Sequence, residues 1–116
     1  MKYDLEERTA KFGEEIINFC NKIPQNEITR SLINQLVRSA TSVGANYCEA
    51  DDASSKKDFK YKIRICNREI KESKHWLRMI GKAIPFLRGE ARIYWQEAHE
   101  LNLIFSSIVK PRDERD

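Results

Sequence analysis

The residues whose types and spacing could do chemistry in this chain are cations. Between Ser55 and Lys82 stand ten Lys or Arg (Lys56, Lys57, Lys60, Lys62, Arg64, Arg68, Lys71, Lys74, Arg78, Lys82) against three acids, Asp58, Glu69 and Glu72. That segment is +7, whereas residues 1–54 total −3 and residues 83–116 total −1, so the net charge of +3 conceals one strongly basic stretch. On a helix at about 100° per residue with Phe59 at zero, Lys57, Lys60, Arg64, Arg68, Lys71, Arg78 and Lys82 fall within an arc of about 100–180°. Such a stripe spans about 37 Å at about 1.5 Å per residue, close to one turn of a nucleic-acid duplex. It could track a phosphate backbone, or it could be ordinary solvated surface. Solvated faces usually alternate sign to gain i,i+4 pairs, and this one hardly does. Only Tyr61 and His75 flank the stripe with aromatic rings, so binding through it is expected to follow the backbone and weaken with salt.

Other chemistry lacks its residues. His75 and His99 are the two histidines, and neither stands with Cys, Asp or Glu at a spacing typical of a metal site. Glu97-Ala98-His99-Glu100 has no second carboxylate-and-histidine helix to complete a di-iron centre. No glycine-rich phosphate loop and no loop-borne nucleophile arrangement occurs. The expectation is a protein without catalysis, metal or cofactor. Cys20, Cys48 and Cys66 are odd in number, widely separated and set in apolar helical patterns, which predicts reduced, buried thiols.

The elements that must position the stripe are helices. With 116 residues, 41% hydrophobic and 34% charged, four Gly and three Pro, the chain suits one domain of long helices with few turns. Leu5, Phe12, Ile16, Phe19 and Ile23 pattern a first helix over about 4–23, stopped by Pro24. A second, over about 27–51, opens at Asn26 or Thr29 and carries Ile28, Leu32, Leu36, Val43, Tyr47 and Ala50. A third, over about 56–82, is capped by Ser54 or Ser55, and Phe59, Ile63, Cys66, Ile70, Ser73, Leu77 and Ile80 form its seam. After Gly89, a pattern from Ala91 to Ile108 gives a fourth, stopped by Pro111. Short connections make consecutive helices antiparallel neighbours, so the expected fold is all-α: an up-down-up-down four-helix bundle over residues 1–110, with a disordered tail at 111–116. No run of about 18 apolar residues offers a membrane span, and the N-terminus lacks the apolar core of a signal peptide, which points to the cytoplasm and away from membranes.

Two further surfaces call for an owner. The second helix is lined by Ser39, Ala40, Ser42, Gly44 and Ala45, which fits close approach of another helix backbone. Beside that face, Gln35, Arg38, Ser42 and Glu49 form a polar row that could be an exposed edge, a hydrogen-bond network inside the bundle or a subunit contact, and the network is the preferred reading. A buried Arg38 would require a carboxylate, and Glu69 and Glu72 are the candidates. On the third helix Ile65 and Trp76 lie beside Glu69 and Glu72, outside both core seam and basic stripe. Either a wide core covers them or they belong to an interface between copies.

A set of marks runs along the chain: Leu5 with Arg8 and Phe12, Pro24, the block from Gln35 to Asn46 with Glu49-Ala50, Lys57-Asp58-Phe59, and Glu72-Ser73-Lys74-His75-Trp76-Leu77. In these the chain resembles the bacterial four-helix bundle proteins known as 23S ribosomal RNA intervening-sequence proteins. The likeness covers nearly the whole chain, and the block in the second helix is its specific part. Tyr47-Cys48 and the Lys- and Arg-rich third helix are this chain's own variations. The resemblance implies a bundle that assembles into a homopentamer. It also implies kinship to the accessory protein of diversity-generating retroelements, which binds nucleic acid and a reverse transcriptase. The leading expectation is therefore an oligomeric RNA- or DNA-binding protein. The alternative is a protein-interaction scaffold or accessory factor, for example to a reverse transcriptase.

Overall fold

The structure, a computed structural model, describes residues 4–111. Four helices follow one another: α1 (Leu5–Asn21), α2 (Glu27–Asp51), α3 (Lys56–Ala83) and α4 (Arg88–Val109), with a single 3-10 turn, Pro85–Leu87, between the last two. The expected disorder of Arg112 to Asp116 lies outside the described residues. Each of the first three helices begins where a short polar side chain can accept from amides that lack an intrahelical partner. Asp4 accepts from the Glu7 amide, and Ser55 from that of Asp58 at 3.1 Å. At α2 both expected residues take part: Asn26 Oδ1 accepts from the Ile28 and Thr29 amides, and Thr29 Oγ1 accepts from the Asn26 amide, each at 2.9 Å.

Two boundaries differ from the sequence reading. The first helix ends at Asn21 because the Lys22 and Ile23 amides turn to the carbonyls three residues back, Phe19 and Cys20, tightening the last turn. The fourth begins at Arg88, before Gly89: Pro85 opens the 3-10 turn, which runs straight into α4 and leaves Gly89 inside the first helical turn.

Contacts between helices fix their directions. Gly13 lies against Ala40 and Thr41 while Gly44 lies against Thr9 and Ala10, so α1 and α2 run oppositely. Ser39 Oγ is 2.9 Å from Ser73 Oγ and Lys62 Nζ donates to Glu49 at 2.7 Å, which does the same for α2 and α3. Asn67 donates to Ser106 at 3.0 Å and Lys74 meets His99 at 3.0 Å, which reverses α4 on α3. The result is an antiparallel four-helix bundle in which α3 packs along both α2 and α4, and α1 along α2 and more lightly α4. Phe12, Ile16 and Phe19 of α1, Leu36 and Val43 of α2, Ile63, Ile70, Leu77 and Ile80 of α3, and Leu101 and Phe105 of α4 are fully buried. Each such side chain contributes about 1.5–3 kcal/mol by leaving water.

Of the small residues of α2, Ser39 and Ala40 are buried and Gly44 meets α1, whereas Ser42 is half-buried and Ala45 is exposed, so the close approach is confined to part of the expected set. A Cβ placed on Gly44 would stand 3.4 Å from the Thr9 carbonyl oxygen and 3.5 Å from the Ala10 nitrogen, so the α1 backbone runs directly across this position. An added methyl is just accommodated and a branched chain is not. Cys20 and Cys66 are buried as expected, and burial pushes their thiols up to about 11 and about 12. Cys48 corrects the expectation: it is exposed, because it sits well off the line through Leu36, Val43 and Ala50 that α2 turns to the core.

Two outcomes follow for stability in urea. Gly44→Ala is expected to stay within about 1 kcal/mol of the parent, its gain in helix propensity offsetting the tight contact, while Gly44→Leu loses about 1–3 kcal/mol. A leucine variant as stable as the parent would contradict the close approach. The second outcome concerns pH. A thiol whose folded-state value is raised contributes stability that is full below its unfolded value of 9.0 and is lost as pH rises toward its folded value. Between pH 8 and pH 10 the unfolding free energy should fall by about 1 kcal/mol for each of Cys20 and Cys66, and Cys66→Ala should remove its share of that fall.

Candidate nucleic-acid interface

Helix α3 carries its seam inward through Ile63, Cys66, Ile70, Ser73, Leu77 and Ile80, so whatever lies opposite must face water. Lys57, Arg64, Arg68, Lys71, Arg78 and Lys82 are exposed and Lys60 is half-buried, as the helical wheel requires. None of the seven forms an ion pair among the described residues. The cations that do pair lie elsewhere: Arg8 with Glu97 and Glu100, Lys22 with Glu90, Arg38 with Glu69 and Glu72, and Lys62 with Glu49.

The acids of α3 are held away from the stripe. Glu69 and Glu72 turn toward α2, where the Arg38 guanidinium donates to Glu69 at 3.4 Å and, more closely, to Glu72. Trp76 Nε1 donates to the same Glu72 oxygen at 3.3 Å, which joins Arg38, Glu72 and Trp76 in one chain of bonds along the α2–α3 edge. The carboxylate partners of Arg38 are those its position indicated, but the arginine is not buried: half of its side chain is exposed. The polar row is therefore an edge of the bundle rather than a network within it. Ser42 donates to the Arg38 carbonyl at 2.6 Å, Glu49 accepts from Lys62, and Gln35 is exposed outside these bonds. Trp76 is half-buried and packed against the core, and Ile65 beside it is also half-buried.

Sequence reasoning missed two polar clusters. On the α3–α4 side Asn102 donates to Asn67 at 2.7 Å and Asn67 to Ser106, while Lys74 meets His99 Nδ1 and lies 4.6 Å from the centre of the Trp95 ring. Trp95 and His99 stack with ring centres 5.1 Å apart and planes 12° from parallel. Burial, with repulsion from Lys71, holds the Lys74 ammonium below its usual value. Lys74 thus turns to α4 and stands apart from the stripe. The readable signal was Asn67, a polar residue next to Cys66 on the core side of α3. The other cluster is Arg8, which grips Glu97 with two bonds of 2.8 Å and Glu100 with a third of 2.8 Å. It ties α1 to α4, and its hydrogen bond to Glu97 raises its affinity for the proton. Glu97, His99 and Glu100 are thereby each engaged with a cation, Arg8 or Lys74. Among the described residues no group of three or more His, Cys, Asp or Glu could hold a metal ion, and no helix is long and apolar enough to cross a membrane.

Comparison with known proteins agrees with this architecture. The family model described as "23S rRNA-intervening sequence protein" matches residues 1–88. A solved structure from Bacteroides thetaiotaomicron, described as a protein with unknown function from the S23 ribosomal protein family, superposes with a TM-score of 0.81 at 27% identity, covering 92% of this chain and 99% of that one. No curated protein matches the chain.

Proposed function

The chain belongs to the 23S rRNA-intervening sequence protein family, and from that premise we propose that it is a cytoplasmic, non-catalytic, oligomeric nucleic-acid-binding protein whose α3 receives phosphates. The observation that carries this reading is the unpaired stripe. Seven cations, from Lys57 to Lys82, share one face without an internal counter-ion among the described residues. Like charges three and four residues apart on one helix repel, and a polyanion laid along them removes that repulsion while releasing its own condensed counter-ions. At about 1.5 Å per residue the stripe runs about 37 Å, enough for several successive phosphates. It carries few groups able to read bases, so affinity is set by backbone charge and is the same for many sequences.

The oligomer is part of the proposal. Ile93 and Leu103 of α4 are 66% and 57% exposed, and Phe86 at the α3–α4 corner is 77% exposed, which gives the bundle apolar surface outside its core. A homopentamer, as the resemblance implies, would repeat the stripe around one particle and let weak contacts act together. The same apolar surface favours a second reading, a scaffold that docks a protein such as a reverse transcriptase.

Binding of a structured ribosomal RNA fragment and of random duplex DNA across a salt series separates the two. For Arg64→Gln/Arg68→Gln/Lys71→Gln, the slope of log affinity against log salt is expected to shrink by about three, with at least tenfold weaker binding at low salt. A triple variant that binds like the parent, or a parent that ignores nucleic acid at low salt, overturns phosphate binding by α3 and leaves the scaffold.

A further inference from the structure

A groove of about 450 Å³ opens at the end of the α3–α4 hairpin, and its walls come from both helices. From α3 come Arg78 and Lys82, one turn apart, and from α4 come Arg88 and Arg92, also one turn apart. Gly81 and Trp95 add an apolar floor and side. All four cations are exposed, and none forms an ion pair among the described residues.

The arrangement is built rather than incidental. The 3-10 turn Pro85–Leu87 reverses the chain so tightly that the stem of Arg88 lies across Gly81, where a Cβ would meet it at 3.5 Å. Glu90, the acid in the first turn of α4, is committed to the far side, accepting from Lys22 of α1 and from Tyr94 Oη. No acid lines the groove. Trp95 is held by its stack on His99 and by the Lys74 ammonium, which fixes the indole before any ligand arrives.

We propose that this groove takes an unpaired nucleotide of a single-stranded RNA or DNA segment, its phosphates between Arg78, Lys82, Arg88 and Arg92 and its base against Trp95. The volume suits one nucleotide, and fixed aromatic side chains beside cations are how proteins hold bases without regard to sequence. The inference rests on the phosphate-binding reading of α3 and extends it. Arg78 and Lys82 belong to both surfaces, so a duplex along the stripe passes into a single strand at the hairpin end. Arg88 and Arg92 belong to the groove alone.

The test is a fluorescence titration of the Trp76→Phe variant, which leaves Trp95 as the one tryptophan, with a 5′-phosphorylated hexa-adenylate strand, a blunt duplex, adenosine monophosphate and inorganic phosphate as separate ligands. Calorimetry on the unmodified chain supplies affinities that do not depend on the reporter. The hexamer is expected to quench Trp95 and to bind at least tenfold more tightly than the mononucleotide or phosphate. Arg88→Gln/Arg92→Gln should weaken the hexamer at least tenfold and the duplex less than threefold, while Arg88→Lys/Arg92→Lys keeps most of the hexamer affinity and shows that charge rather than folding is at issue. Normal duplex binding with no quenching by the hexamer, or a Gln variant that holds the hexamer as well as the parent, overturns the groove and spares the stripe. Loss of both duplex and hexamer binding in the parent overturns both. Free phosphate or mononucleotide binding as tightly as the hexamer overturns the strand and assigns the groove to a small anion.

Discussion

The close approach of α2 to its two neighbours is the constraint on which the rest of the molecule depends. Gly44 admits the backbone of α1 at Thr9 and Ala10, Gly13 returns the contact at Ala40 and Thr41, and Ser39 and Ser73 let α3 come close enough for their hydroxyls to meet at 2.9 Å. Larger side chains at these positions would separate the helices. With α2 and α3 this close, Arg38 reaches across to Glu69 and Glu72, and Cys66 reaches the Val43 carbonyl. Packing of small residues thus decides where the charges of α3 can find partners.

The consequence is a separation of charge around one helix. The acids of α3 in its middle turns are drawn to the α2 edge, Lys62 follows Glu49 to the same side, and Lys74 is drawn to α4. What remains charged on the outer face is cationic, with Tyr61 and His75 exposed among the lysines and arginines. Isolated surface ion pairs contribute little to stability, so the arrangement is weakly explained as a folding device. It fits the proposed role better: a positive field directed outward is the arrangement that would raise the local concentration of a polyanion and its rate of arrival. The groove at the hairpin end continues the same field onto α4, where Glu90 has been turned toward α1.

Helical period and punctuation made much of this legible. The seam of α3 from Ile63 to Ile80 is buried as its spacing requires, and Asn26, Thr29 and Ser55 cap the helices they precede. The partners of Arg38 were readable because α2 and α3 are joined by a short connection, which fixes which turns face each other. Cys48 was misplaced because an apolar neighbourhood in sequence is not a position on the core line, and Tyr47 beside it is only half-buried. The Asn67–Asn102 and Lys74–His99 bonds join residues 25 to 35 positions apart. Their pairing depends on the rotation of α4 about its axis, which the apolar pattern of α4 fixes only coarsely. For the same reason nothing in the sequence brought Arg88 and Arg92 to the side of Arg78 and Lys82: a tight 3-10 turn does so, where a glycine boundary was expected.

The most direct test of the outward field is lysine footprinting, in which acetylation is followed by mass spectrometry with and without a structured ribosomal RNA fragment at low salt. Lys57, Lys60, Lys71 and Lys82 stand on the outer face of α3, whereas Lys11 stands exposed on α1 and belongs to no basic stripe. The account predicts that RNA protects the four α3 lysines and leaves Lys11 as reactive as before. Equal protection of Lys11, or unchanged reactivity along α3 when RNA is bound, would contradict it.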